Sequence, residues 1–232
     1  MTATLNSFGQ YPFEKSAAIK YKEYKDWIEK TEGKNQGNSI YSLTIPKFFN
    51  NKDSFTVILT PHLDSTIVSI YRNSKQIQTF LEPIGFNPLE PLRLADFNND
   101  NLTDLKLIFP YMGNGIAALN VRVVYLLQHK DNTFSKLSYF DKMSENRKER
   151  DFNKDGNFEI ITMTLTSYQD HSFWLFNLFN IKNFDLVSAN DKFNYPILIQ
   201  FLYRNNYKIT SIMSRQKMKE FAQEKPEEYD RQ

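Results

Sequence analysis

Asp151-Phe152-Asn153-Lys154-Asp155-Gly156-Asn157-Phe158-Glu159 runs directly into Ile160-Ile161-Thr162-Met163-Thr164-Leu165-Thr166. The first half places oxygen-bearing side chains at positions 1, 3, 5 and 9 of a short loop. A tight loop turns alternate side chains inward, so Asp151, Asn153 and Asp155 converge on one hard cation. The backbone carbonyl of Asn157 and the carboxylate of Glu159 then close its shell. Gly156, at position 6, supplies a residue that adopts a left-handed turn without steric cost. In the second half Ile161, Met163 and Leu165 alternate with Thr162, Thr164 and Thr166, the pattern of a strand with one buried face.

The same arrangement occurs upstream, in Asp96-Phe97-Asn98-Asn99-Asp100-Asn101-Leu102-Thr103-Asp104. Its expected ligands are Asp96, Asn98, Asp100, the Leu102 carbonyl and Asp104. Leu105, Leu107 and Phe109 follow, alternating with Lys106 and Ile108. Each loop offers three carboxylates, which repel one another unless a cation sits among them. Asn101 replaces Gly at position 6, so the upstream loop is the weaker expected site. Neither loop is an EF-hand, because position 12 is Leu107 or Thr162 where a bidentate Glu is needed, and strands flank both loops.

Both loops resemble the Asp-x-Asp-x-Asp-Gly-x-x-Asp calcium loops of FG-GAP and VCBS repeats, found in integrin-type β-propellers and many secreted bacterial proteins. The resemblance covers the loops and the strands after them. It implies bound Ca²⁺, a structural role for the ion, and tandem β units. The chain departs from the repeat pattern by Asn at position 3 of both loops, by Glu159 in place of Asp, and by having only two clear copies. The loops start about 55 residues apart, each after a hairpin, so a closed seven-bladed ring would need far more chain than 232 residues. A second resemblance rests on the order loop, strand, Gly113-Asn114-Gly115 turn, strand Val121–Gln128, turn, strand Phe134–Tyr139. It is similar to small periplasmic proteins with a lysozyme-inhibitor-like fold. It implies an inhibitor or immunity-type protein that blocks a secreted hydrolase such as a lysozyme.

Outward from the loops, the period stays near two from Ser39 to about Met213. Turns are expected at Arg72-Asn73-Ser74, Lys130-Asp131-Asn132, Lys182-Asn183 and Arg204-Asn205-Asn206, each between apolar or aromatic runs. The last of these joins strands expected over Ile197–Tyr203 and Tyr207–Ile212. Asp170-His171-Ser172 reads as a hairpin turn, since neighbouring strand side chains face opposite ways and cannot form a proton relay. Phe173-Trp174-Leu175-Phe176 reads as a central strand buried on both faces. Asn190 and Asp191, within Ser188–Phe193, mark a degenerate third loop.

The ends read differently. Phe13, Ala17, Tyr21, Tyr24 and Ile28 recur at helical spacing and predict a helix over residues 13 to 30, followed by a linker from Glu32 to Asn38. Ser214 caps a predicted helix reaching about Glu224, which Pro226 stops, and Glu227 to Gln232 should fray. The expected organisation is therefore a helix and linker in 1–38, a β domain in 39–213, and a helix and tail in 214–232. The expected fold is mainly β, built of tandem antiparallel units, propeller-like or a sandwich.

Composition narrows the chemistry. Twenty Phe, 13 Tyr and 2 Trp favour strands. The formal net charge is +2 with both signs interleaved, so no basic stripe points to nucleic acid. There is no cysteine, hence no disulfide and no thiolate chemistry. No apolar run reaches the roughly 20 residues of a transmembrane helix. The three histidines are not spaced as metal ligands, and no P-loop or nucleophile-elbow motif occurs, so the chain reads as non-enzymatic. Extracellular calcium modules bind at roughly 10⁻⁴ to 10⁻³ M. That range suits an exported protein, periplasmic or secreted, whose leader is not part of this sequence. The expected role is a binding module for a protein or glycan ligand.

Overall fold

The computed structural model describes residues 16–31, 39–85, 90–201 and 213–232. In chain order its strands are β1 (Ala17–Ala18), β2 (Lys22–Tyr24), β3 (Ile28–Thr31), β4 (Ser39–Phe49), β5 (Asp53–Pro61), β6 (Thr66–Arg72) and β7 (Lys75–Glu82). Next come β8 (Leu92–Ala95), β9 (Asp104–Pro110), β10 (Asn120–Gln128), β11 (Phe134–Lys142), β12 (Arg150–Asp151) and β13 (Ile160–Tyr168). β14 (His171–Lys182), β15 (Asp185–Ser188) and β16 (Ile197–Gln200) follow, then a short helix α1 (Arg215–Lys219) and β17 (Asp230–Arg231).

The fold is mainly β, with several antiparallel sheets and none of them closed. One sheet runs β3-β4-β5-β6-β7 and a second runs β17-β11-β10-β9-β8-β2. A third has β14 at its centre, with β13 along one side and β15 and β16 sharing the other. The six-stranded sheet is the middle layer. Leu105, Leu107, Phe109, Val124 and Leu126 pack against Val57, Leu59, Ile70 and their neighbours in the five-stranded sheet. From its opposite face, Ile108, Val123, Tyr125, Leu137 and Tyr139 meet Ile160, Phe179 and Leu186 of the third sheet.

This layering changes the reading of β9. The alternation after Asp104 suggests one buried face, yet residues 104–109 are all buried, because each face of the sheet carries a layer. Lys106 is therefore inside, 2.7 Å from Glu149, which also accepts hydrogen bonds from the hydroxyls of Tyr125 and Tyr21. Other buried charges pair in the same way, Arg147 with Asp141 at 2.6 Å and Arg122 with Glu82 at 2.9 Å. A buried charge without its partner is strongly destabilising, so these pairs fix how the layers sit on each other.

The helix expected over residues 13 to 30 is not present. Residues 16–31 instead supply three short strands to three different sheets, while Phe13 and the 32–38 linker lie outside the described residues. Ala17 and Ala18 pair with β12, Lys22–Tyr24 with β8, and Ile28–Thr31 with β4. Sheet edges present rows of unpaired N–H and C=O groups, and pairing with them outweighs a 3.6-residue periodicity that buries no coherent face. Ile28, which an amphipathic helix would bury, is 59 % exposed.

At the other end Ser214 does cap a helix, its side chain accepting from the Lys217 N–H at 3.2 Å, but that helix spans only Arg215–Lys219. The tail does not fray. Asp230 and Arg231 pair with β11, the Lys136 and Gln232 backbones exchange two hydrogen bonds, and Phe140 N–H donates to the Glu227 carbonyl.

The expected hairpins are found where the residues allow them. Asn73 and Ser74, Gln169 and Asp170, and Asn183 and Phe184 all have positive φ, as the tight turns between right-twisted strands require. The Arg204-Asn205-Asn206 turn and the strand Tyr207–Ile212 lie outside the described residues.

Candidate metal centre

The upstream acidic loop links β8 to β9, and the downstream one links β12 to β13. The two have the same internal wiring. Position 1 accepts through one carboxylate oxygen from the N–H of position 5, Asp96 from Asp100 and Asp151 from Asp155, both at 3.1 Å. Its other oxygen accepts from position 6, Asn101 at 2.8 Å and Gly156 at 3.0 Å. Position 5 accepts from position 7, Leu102 at 2.8 Å and Asn157 at 2.9 Å. The amide of position 3 leans on the position-5 carboxylate, Asn98 at 3.0 Å and Asn153 at 2.6 Å. These are Asx-type turns, in which a side-chain oxygen substitutes for a backbone acceptor.

Position 6 is left-handed as expected, with φ +65° at Asn101 and +84° at Gly156. The sequence reading misses position 4, where Asn99 (φ +59°) and Lys154 (φ +63°) are also left-handed. Lys154 is not a residue type that signals such a turn.

The loops part company at position 9. Asp104 is fully buried and both its oxygens are used, one by Phe97 N–H at 2.9 Å and the other by Gln128 N–H at 2.8 Å. Burial pushes its carboxyl up to about 7 against the pull of those two donors, and Asp100 and Asp96 push it the same way. Glu159 is equally inaccessible and accepts from Phe152 N–H at 3.0 Å through Oε2, but Oε1 is buried with no donor. Burial raises its pKa first, the Phe152 N–H offsets this, and the nearby Asp155 charge raises it again.

The sequence also gives no warning that Lys192 belongs to this region. Its ammonium lies 3.9 Å from Asp155; the Asn153 amide first and Lys192 to a lesser extent lower the Asp155 pKa, and Lys192 only partly offsets the rise at Glu159. It is carried by the segment read as a third loop. That segment has no cage of its own: Asn190 is buried, accepting from Leu178 N–H at 2.9 Å and donating to Asn177 at 2.8 Å.

The two loops lie close together. A Cβ placed on Gly156 would lie 3.5 Å from the Asn99 side-chain amide. Phe97 and Phe158 pack into the same core, and a recess of about 230 Å³ runs between them beside Asp155, Asn157, Asn180 and Lys192. On the other side of the upstream loop a cleft of about 430 Å³ is lined by Lys22, Tyr24, Lys47, Phe48, Asp96 and Asn101 among others.

Among the described residues no three acidic, histidine or cysteine side chains converge as a ready-made cage. The structure brings positions 1, 3 and 5 of each loop together through hydrogen bonds. The fit to a hard cation therefore differs between loops. In the downstream loop Asp151, Asp155 and Glu159 supply carboxylates, and Glu159 Oε1 is an acceptor lacking a partner. A half-turn of the Asn153 amide would present its oxygen. In the upstream loop both Asp104 oxygens already accept backbone N–H bonds, so position 9 offers no orphan acceptor comparable to Glu159 Oε1. Compared with known proteins, the chain matches no family model, no curated protein and no solved structure.

Proposed function

We propose that this protein is an exported β module that acts by binding a protein or glycan, and that Ca²⁺ held in the loop Asp151–Glu159 stabilises it. The observation that carries the metal reading is Glu159, a fully buried carboxylate with one oxygen left without a donor. Leaving such an oxygen unpaired costs about 1–3 kcal/mol, and a cation removes that cost. Asp151, Asn153, Asp155, the Asn157 carbonyl and Glu159 would hold the ion, which would supply the positive charge that Lys192 supplies only from a distance. The ion's role on this reading is structural, since every ligand it would take is a protein oxygen. The binding reading is supported by the cleft beside the upstream loop, where Tyr24 and Phe48 offer rings and Lys22 and Lys47 offer charge. Such a mixed surface suits recognition of a polar partner.

Thermal unfolding of the chelated protein with increasing Ca²⁺ tests this. Calcium at ten times its Kd adds about 1.4 kcal/mol, a midpoint rise of a few degrees for a chain of this size. Asp151→Ala and Glu159→Gln should each abolish the rise. A wild-type midpoint that ignores millimolar Ca²⁺ would show that the loop is a self-satisfied turn.

A further inference from the structure

A second cluster, far in sequence from the acidic loops, brings an amine and two carboxylates into reacting distance. Lys136 on β11 places its Nζ 2.6 Å from Asp230 Oδ2 on β17 and 2.7 Å from Glu82 Oε1 at the end of β7. The Lys136 and Glu82 side chains are completely inaccessible, whereas that of Asp230 is 39 % exposed. Asp230 lies opposite Ser138, so it is the diagonal neighbour of Lys136 across two antiparallel strands. Nζ is held in place by a further bond to the Leu81 carbonyl at 3.0 Å. Glu82 is anchored through Oε2 to Arg122 at 2.9 Å, which leaves Oε1 turned to Lys136 with no aligned hydrogen-bond donor.

We propose that Lys136 and Asp230 condense to an amide that ties β17 covalently to β11, with Glu82 as the proton relay. Glu82 Oε1 takes a proton from the Lys136 ammonium. The freed amine attacks the Asp230 carboxyl carbon, forming the C–N bond. Glu82 passes its proton to the departing carboxyl oxygen, then carries the second proton from nitrogen to the same oxygen. The C–O bond breaks and one water leaves on the exposed side of Asp230. An ammonium and a carboxylate become an amide and water, no atom changes oxidation state, and Glu82 ends as it began.

Three features favour the bond over a lasting ion pair. Fixing amine and carboxyl about 3 Å apart replaces a bimolecular encounter with an intramolecular one, the largest single gain available to such a reaction. Burying the Lys136 ammonium is costly, and condensation removes that charge together with the partly exposed Asp230 carboxylate. It also leaves Glu82, until then shared by two cations, paired one to one with Arg122. The product meets a structural need, because β17 is only two residues long and an edge strand that short holds weakly by its backbone alone.

Intact mass measurement of the full chain, incubated at neutral pH and then denatured, tests this. The expected mass is one water below that of the sequence, with a branched proteolytic peptide joining the Lys136 and Asp230 segments. Asp230→Ala, at a partly exposed site and with Glu82 still paired to Lys136, should have the full mass of its own sequence. Glu82→Gln should condense far more slowly. A wild-type chain at full mass, with the two segments recovered as separate peptides, would overturn the proposal. So would a missing water that persists in Asp230→Ala, while equal rates in Glu82→Gln would remove the relay.

Discussion

The two acidic loops are near copies from position 1 to position 7 and differ at position 9. Asp104 ends the upstream loop by spending both oxygens on backbone N–H groups, one of them Gln128 at the end of β10. Glu159 ends the downstream loop with one bond and one orphan oxygen. One methylene separates the two side chains. The shorter acid stitches its loop to the neighbouring strand, and the longer one keeps an acceptor in reserve. The shared wiring of positions 1 to 7 is what an Asp- and Asn-rich turn builds on its own. On the proposed calcium reading, position 9 and not the shared repeat decides which loop takes the ion.

Mutations test that contrast. The largest effect is expected from Asp104→Ala, which strands two buried N–H groups and should cost about 3 kcal/mol in urea unfolding of chelated protein. Glu159→Ala, which loses one hydrogen bond, should cost about 1 kcal/mol under the same conditions. Equal losses would erase the distinction.

Asp104 also predicts a pH signature. Its folded pKa is about 7 against about 3.9 unfolded, so its contribution is fully present below about pH 4 and is lost as pH rises through 7. Asp104→Asn should flatten this part of the stability profile in chelated protein, and an unchanged slope would count against the assignment.

Calcium sharpens the comparison further. Asp96→Ala should leave the calcium-induced rise in midpoint intact, while Asp151→Ala removes it; the reverse result would move the ion upstream. A smaller effect, about 1 kcal/mol, is expected for Gly156→Ala, from the φ of +84° alone, since the nearest contact is ordinary in length. The smallest should come from Lys192→Met. Removing a cation 3.9 Å from Asp155 should tighten calcium binding a few-fold in calorimetry.

Much of this architecture was legible. Strand periodicity, the Asn-bearing turns and the paired loops all come from local chemistry, and local chemistry is what a sequence displays. Phe173–Phe176 proved to be within a central strand, flanked by β13 and β16. What stayed hidden depends on partners distant in the chain. Residues 16–31 look helical until three sheet edges claim them, and Lys106 looks solvated until Glu149 appears beside it. At the candidate site, the two matching Asp- and Asn-rich loops were readable, but the fate of the Asp104 and Glu159 oxygens was not. It turns on Gln128 being close to one and no donor being close to the other.

The outer strand β17 has a consequence for how the chain is made. Its partner β11 is synthesised first, and Asp230 follows Lys136 by 94 residues. At a translation rate of 5–20 residues per second, that edge waits about 5 to 20 s for its cover. During that interval the nascent chain presents an open β edge to its neighbours, the moment at which a chaperone has most to do.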